Sequence, residues 1–249
     1  FANSSFIEVV GNEFELNGNT WRPFGIHYWP LSAETQDTST ITNHWLHETN
    51  YNIGVTGSDL QKINSFGFNT VGIQLKQGLS CTQINTFLNQ AKTNNLKVFI
   101  FLPSCDPQKS YIWNARLKDF DKKLNFSTCT KYISDCGFKN NDTIFAYDIA
   151  WEPRMGSSNI DYYNYAWTEW LKEKYGNLET ARTSIGYAFQ FDSDGYVKAP
   201  TSTEVCGNTG TARNIFAHNY LKFNDDFIAR NYSDAYNAIK NVDPNHLIT

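Results

Sequence analysis

The sequence predicts an α/β fold, and within that class a (β/α)8 TIM barrel of which these 249 residues supply about the first four to five βα units. Two observations point to the class. Short apolar runs alternate with segments of helical period in the order β-α-β-α-β-α-β-α-β, and such alternation argues for parallel strands. Two of the runs, "LKVFIFLP" and "TIFAYDIAWEP", are almost continuously apolar, as in strands covered on both faces. A third observation chooses within the class. No G-x-G-x-x-G follows the first strand, so a dinucleotide-binding sheet loses its main signature and the barrel is preferred. Residues 1–249 are then read as the N-terminal part of one barrel. The remaining strands are expected from a longer chain, because half a barrel leaves open sheet edges.

The elements follow in order. "FIEVVGNEFELNGNTWRPFGIHYWP" reads as a strand pair turning at Asn17-Gly18, then a strand over about 22–28. "TGSDLQKINSFGF" reads as a helix capped by Ser58 and stopped by Gly67. "FNTVGIQL" is a strand, "TQINTFLNQAKTNN" a helix capped by Thr82, and "STCTKYISDCGFKN" a short helix and turn. "NIDYYNYAWTEWLKEKYG" and "NLETARTSIGYAF" are helices. Residues 190–212 are polar and rich in Gly, Thr and Ser, so they read as a loop. A long helix follows, and "HLIT" opens another strand.

The bulk composition narrows the function. Net charge is −4 with no long run of one sign, which argues against a nucleic-acid partner. No stretch of 18 consecutive apolar residues is present, so no membrane span is expected. The opening "FANSSF" is what a mature secreted chain would show after leader cleavage. Four N-x-S/T sequons, at Asn3, Asn125, Asn141 and Asn231, point the same way. Five cysteines add weight. Cys129 and Cys136 are close enough to close a small loop, and Cys81 and Cys105 each follow an apolar run and could meet at one end of a sheet. Cys206 is then left over. None forms a C-x-x-C pair, and His44 and His47 lack a nearby third ligand, so no metal is expected. Aromatic residues reach 16%, and a surplus of Trp and Tyr suits the C–H faces of sugar rings.

The stretch "AYDIAWEPRM" carries the chemistry. A barrel places its chemistry at the carboxyl ends of its strands, where Glu152 falls. Strand alternation puts Ala146, Asp148, Ala150 and Glu152 on one face. Pro153 ends the strand. "AYDIAWEPRMGSS" resembles the fourth-strand motif of clan A glycoside hydrolases, where Asn-Glu-Pro is usual. It is most similar to family 5 β-mannanases and related cellulase-type enzymes, with their Glu-Leu-Ala-Asn-Glu-Pro-Arg pattern. "WRPFGIHYWP" and "GFNTVGIQL" are similar to the first and second strands of that family. "IKNVDPNHLIT" is similar to the end of its fourth helix and the start of its fifth strand, and "WTEWLKEKYGNLETARTSIG" resembles a helix of the clan's β-galactosidase-like members.

The resemblance implies a secreted retaining hydrolase of β-linked glycans, of mannan or glucan type, with Glu152 as general acid/base and no cofactor. Retaining hydrolysis needs a second carboxylate about 5–5.5 Å away as nucleophile. The family places it at the seventh strand, so Glu169, Glu173 and Glu204 are not assigned that role. His27, Tyr28 and Trp29 after the first strand, Trp113 after the third, and Trp151 and Arg154 after the fourth are the expected sugar contacts. Core packing is the competing account of the first three. Trp45 and His47 read as surface or lid packing. Two departures stand out. Trp151 replaces the usual Asn, either as an apolar wall that raises the Glu152 pKa or as a mark of lost activity. Gly72 replaces an Arg that would pair with Asp148, leaving Gln74 or Lys76 to substitute. The alternative function is therefore a catalytically inactive barrel that binds glycan or builds an extracellular assembly.

Overall fold

The computed structural model describes residues 5–31, 40–103, 105, 126–150, 163–206 and 210–249. It opens with an antiparallel meander: β1 (Ile7–Val10), β2 (Glu13–Leu16) and β3 (Asn19–Trp21). Asn17 and Gly18 both take left-handed backbone angles, φ 56° and 76°, so the β2–β3 turn is of the primed kind that matches strand twist. Trp21 belongs to this meander, and the strand expected over about 22–28 shortens to β4 (Gly25–His27).

β4 begins a five-stranded parallel sheet with β5 (Thr70–Gln74), β6 (Lys97–Phe101), β7 (Ile144–Asp148) and β8 (Leu247–Ile248). The strands lie side by side in chain order. Right-handed crossovers that always advance in one direction put the connecting helices on one face. That face is apolar and closed: Val71, Ile73, Val98 and Ile100 have no exposed surface. This is an α/β architecture with a parallel sheet, as expected.

The helices explain themselves locally, with two corrected starts. α1 (Ile53–Ser65) is capped by Asn52, whose side chain accepts the Val55 N–H at 3.0 Å, rather than by Ser58. α2 (Cys81–Thr93) is capped by Ser80, which accepts the Thr82 N–H, rather than by Thr82. Ile84, Phe87, Leu88 and Ala91 form its buried stripe. Gly67, at φ 87°, stops α1 as anticipated. α3 (Ser127–Asp135) leads through a 3-10 turn into β7.

All four expected cysteines are oxidised, but the partners are exchanged. Cys81 pairs with Cys136, and Cys105 with Cys129. The reason is helical geometry. Cys129 lies in α3 and Cys136 caps its end, seven residues on. Two helical turns separate them by about 10 Å along the axis, beyond disulfide reach. The side chain of Cys206 lies outside the described residues.

The described chain forms two compact units. The first holds both sheets, α1–α3 and the end of the long helix α7 (Thr211–Val242) from Ala235 onward. The second holds α4 (Tyr163–Tyr175), α5 (Leu178–Ile185), α6 (Ser202–Cys206) and α7 up to Asp234. Its core is aromatic: Trp167 packs on Trp170, Phe216, Tyr220 and Phe223 at ring distances of 5.4–5.6 Å. Within the stretch read as a loop, 190–212, residues 190–206 are structured. Asn164 Oδ1 accepts the Ala199 N–H and Thr168 Oγ1 accepts the Val197 N–H, both at 2.8 Å, so two buried polar groups of α4 take the place of strand neighbours. Among the described residues, no helix is long and apolar enough to cross a membrane.

Candidate functional site

The face of the parallel sheet opposite the helices has two ends of different character. At the amino end, Phe14 and Trp21 of the meander meet Phe145 at ring distances of 5.9 and 5.1 Å, and Phe99 joins them at 6.0 Å. A register shift explains why Phe145 is there. β6 advances from Val98 to Phe99 while β7 advances from Ile144 to Ala146, so Phe145 is a bulged residue. Both Phe145 and Ala146 then serve this face, and Tyr147 turns to the helix side. The meander thus closes the amino end with aromatic rings.

The carboxyl end is polar. Register places His27 of β4 beside Gly72 of β5, and Gln74 in one row with Phe101 and Asp148. Ala146 and Asp148 share a face, as alternation required. The Asp148 Oδ1 accepts the Ala150 N–H at 3.1 Å. Burial pushes the Asp148 carboxyl above its usual range, and the Ala150 N–H and the His27 imidazole oppose that rise. The His27 ring lies over Gly72: a Cβ built there would sit 3.5 Å from the ring atoms Cδ2 and Nε2.

Beside this edge, His44 is buried, and its ring meets Trp29 edge-on at 5.4 Å. Burial holds the His44 imidazole down to about 4; the Gln74 backbone carbonyl opposes that fall, and Lys76 and His47 add to it. Its Nδ1 accepts the Leu46 N–H at 3.1 Å, which fixes the neutral tautomer. Trp29 and His44 therefore offer a ring edge and a neutral imidazole next to the polar row. Sequence reading passed over His44, since only its failure to make a metal set was considered. Its position one residue before a buried Trp in an otherwise polar segment was the available signal.

The expected site residues divide. His27 lies on the carboxyl end of the sheet, and Trp29 is half-buried next to His44. Tyr28 does not join them. It is 5% exposed, packs against Trp45 and Phe87, and donates to Asp59 Oδ2 at 3.0 Å. Strand alternation requires this: if His27 faces the polar side, its neighbour must face the helices. Trp45 is core as well, at 2% exposure. Glu152, Trp151, Arg154 and Trp113 lie outside the described residues, as do the sequons at Asn3 and Asn125. Asn141 is half-buried, and its Oδ1 accepts the Thr143 N–H. Asn231 is 5% exposed within α7, which leaves no room for a glycan there in the folded chain.

The carboxylates set aside as nucleophiles are engaged elsewhere. Glu169 pairs with Lys172 at 2.8 Å and Glu173 with Arg230 at 3.5 Å, both at the surface. Glu204 accepts from Thr201 and pairs with Arg213 at 3.0 Å. Among the described residues no group of His, Cys, Asp and Glu could hold a metal ion.

No protein-family model matches the chain, and no curated protein does. Among solved structures it is similar to an endo-1,4-beta-mannanase from Rhizomucor miehei, with 17% identity and a TM-score of 0.40 over 72% of this chain. The chain spans 58% of the length of that structure.

Proposed function

We propose that this chain is the amino-terminal part of a secreted (β/α)8 glycoside hydrolase that cleaves β-linked glycans of mannan or glucan type by a retaining mechanism. Glu152 acts as general acid, then as general base. The observation that carries the reading is the polar carboxyl edge of the sheet. His27, Gln74 and Asp148 stand there on one face, and β7 runs on through Ile149 and Ala150 toward Trp151-Glu152-Pro153. Hydroxyl-rich ligands need such hydrogen-bonding groups, with an aromatic edge such as Trp29 beside them.

The two disulfides support an oxidising compartment. A second reading, a barrel that binds glycan without cleaving it, is favoured by Gly72, which stands where the family resemblance would place an arginine on β5.

Hydrolysis of soluble β-1,4-mannan and β-1,4-glucan by the full chain tests the proposal. Glu152→Gln is expected to lower the rate about 10²–10⁴-fold with the circular dichroism spectrum unchanged. Retention on immobilised mannan without any release of reducing ends would establish the second reading instead.

A further inference from the structure

His44 is a buried ionisable group that the proposed acid/base chemistry does not use. It is also the hub of a segment. Residues 40–51 lead into α1 and hold no strand or α-helix, only the 3-10 turn Ile41–Asn43. Their backbone groups must therefore find partners locally. Four bonds converge on His44. Its N–H donates to the Ile41 carbonyl at 3.0 Å, and its carbonyl accepts the His47 N–H at 2.9 Å and the Asn50 Nδ2 amide at 3.1 Å. Its ring Nδ1 accepts the Leu46 N–H at 3.1 Å. Trp45 and Leu46, both buried, follow directly. Trp45 packs on Tyr28, Tyr51 and Phe87 at ring distances of 5.3–6.3 Å, so it anchors the segment to the end of β4 and to α2. The loop after β5 closes on the same segment: a Cβ at Gly78 would stand 2.7 Å from Ile41 Cδ1.

This arrangement suits only a neutral ring. With Nδ1 accepting, the ring proton is on Nε2, which is buried and makes no hydrogen bond among the described residues. A second proton has to go on Nδ1, where the Leu46 N–H already points. It would set donor against donor and leave a cation in the interior. The surroundings offer that cation little. Burial, Lys76 just past β5 and His47 in the segment all disfavour it, and the Gln74 carbonyl at the end of β5 favours it. On α1, Asp59 is engaged by the Tyr28 hydroxyl, and Tyr51 donates to Gln90 on α2. Glu48 of the segment is exposed.

We propose that His44 is an acid latch at the rim of the glycan site: its neutral ring fastens residues 40–51 against Trp29, and a proton on Nδ1 unfastens them while the parallel sheet stays folded. The ring of Trp29 meets His44 edge-on, so opening the segment removes its support. That Trp29 contacts a glycan rests on the functional reading given above; the latch does not. His44 is a positioning residue, since it acts on the site through Trp29.

The test is amide hydrogen exchange of the full chain at pH 7 and pH 5, with rates corrected for their intrinsic pH dependence. Protection of the Leu46, His47 and Tyr51 amides should fall about twentyfold, the factor that follows if the ring titrates near 6.5 in the open segment and at about 4 in the closed one. Protection in β5 and β6 should not change. His44→Asn supplies an oxygen acceptor for the Leu46 N–H and takes up no proton, so its segment should stay protected at pH 5. Unchanged protection in the unmutated chain, a loss shared with β5 and β6, or an equal loss in His44→Asn would overturn the latch. Should His44→Asn fail to fold, NMR titration of the His44 ring in the unmutated chain decides: a midpoint well below 6.5 supports the latch, and one at 6.5 overturns it. The positioning role is read by calorimetric titration with β-1,4-mannohexaose at both pH values. Acidification should weaken binding about tenfold more in the unmutated chain than in His44→Asn. Equal weakening would overturn that role. Failure of the unmutated chain to bind any β-linked oligosaccharide at pH 7 would sink the glycan reading, and hydrogen exchange would still decide the latch.

Discussion

Asp243 shows how a single residue fastens two elements. It is fully buried, accepts from Tyr147 Oη and from His246 Nδ1 at 2.7 Å each, and so ties the end of α7 to β7 and the approach to β8. Burial alone would raise its carboxyl. The bonds from His246 and Tyr147 outweigh burial and bring it down to about 2. Asp243→Ala should cost on the order of 3–5 kcal/mol, because it leaves the Tyr147 hydroxyl and the His246 ring buried without their acceptor; a urea melt checks this. The depressed carboxyl also sets a pH window. Its stabilisation is complete above the ordinary value of 3.8 and lost as pH falls toward about 2. His44 acts higher. Its imidazole is favoured neutral down to about 4 against an ordinary 6.5, so its contribution is full above 6.5 and lost between those values. Urea midpoints should therefore decline in two stages on acidification, and His44→Phe should flatten only the upper stage. A single decline below pH 4 in the unmutated chain would contradict the His44 assignment. At this scale the sequence was partly legible. Alternation along one strand is a strong rule, and it put Ala146 and Asp148 on one face. The same rule excludes Tyr28 from His27's face, and the core packing weighed beside the sugar contact is the account that Tyr28's burial matches.

At the scale of elements, the disulfides give a clear expectation. Cys81–Cys136 spans 55 residues of sequence and Cys105–Cys129 spans 24. Loop-closure entropy makes the longer bridge worth about 4 kcal/mol and the shorter about 3.5 kcal/mol. Cys81→Ala/Cys136→Ala should accordingly lower the melting temperature at least as far as Cys105→Ala/Cys129→Ala. The reverse order by several degrees would show that native packing, not closure entropy, decides. Strand and helix positions were readable because apolar period is a local property. Cap residues were less so: Asn52 and Ser58, or Ser80 and Thr82, are chemically equivalent candidates, and only the turn geometry selects the earlier one. Disulfide partners required knowing that Cys129 and Cys136 stand at the two ends of one helix.

At the scale of the molecule, the chain is an α/β sheet unit with a second, helical unit inserted between β7 and the end of α7. The second unit was not separated in the sequence, because its helices have the same period as those that connect strands. Its core depends on Trp167, which is fully buried. Trp167→Ala should cost about 3–5 kcal/mol in that unit, read as loss of near-ultraviolet circular dichroism. The parallel order of the sheet was legible from alternation alone. The polar carboxyl edge was half legible: His27 and Asp148 were each marked in the sequence, and His44 was passed over. The measurement that bears most directly on the functional account is hydrolysis of an activated aryl β-mannoside by the full chain, its Glu152→Ala variant, and that variant with added azide. A general acid/base at Glu152 predicts slow turnover in the variant, recovered by azide with a β-glycosyl azide as product. Undiminished turnover in Glu152→Ala, or no azide product, would contradict it.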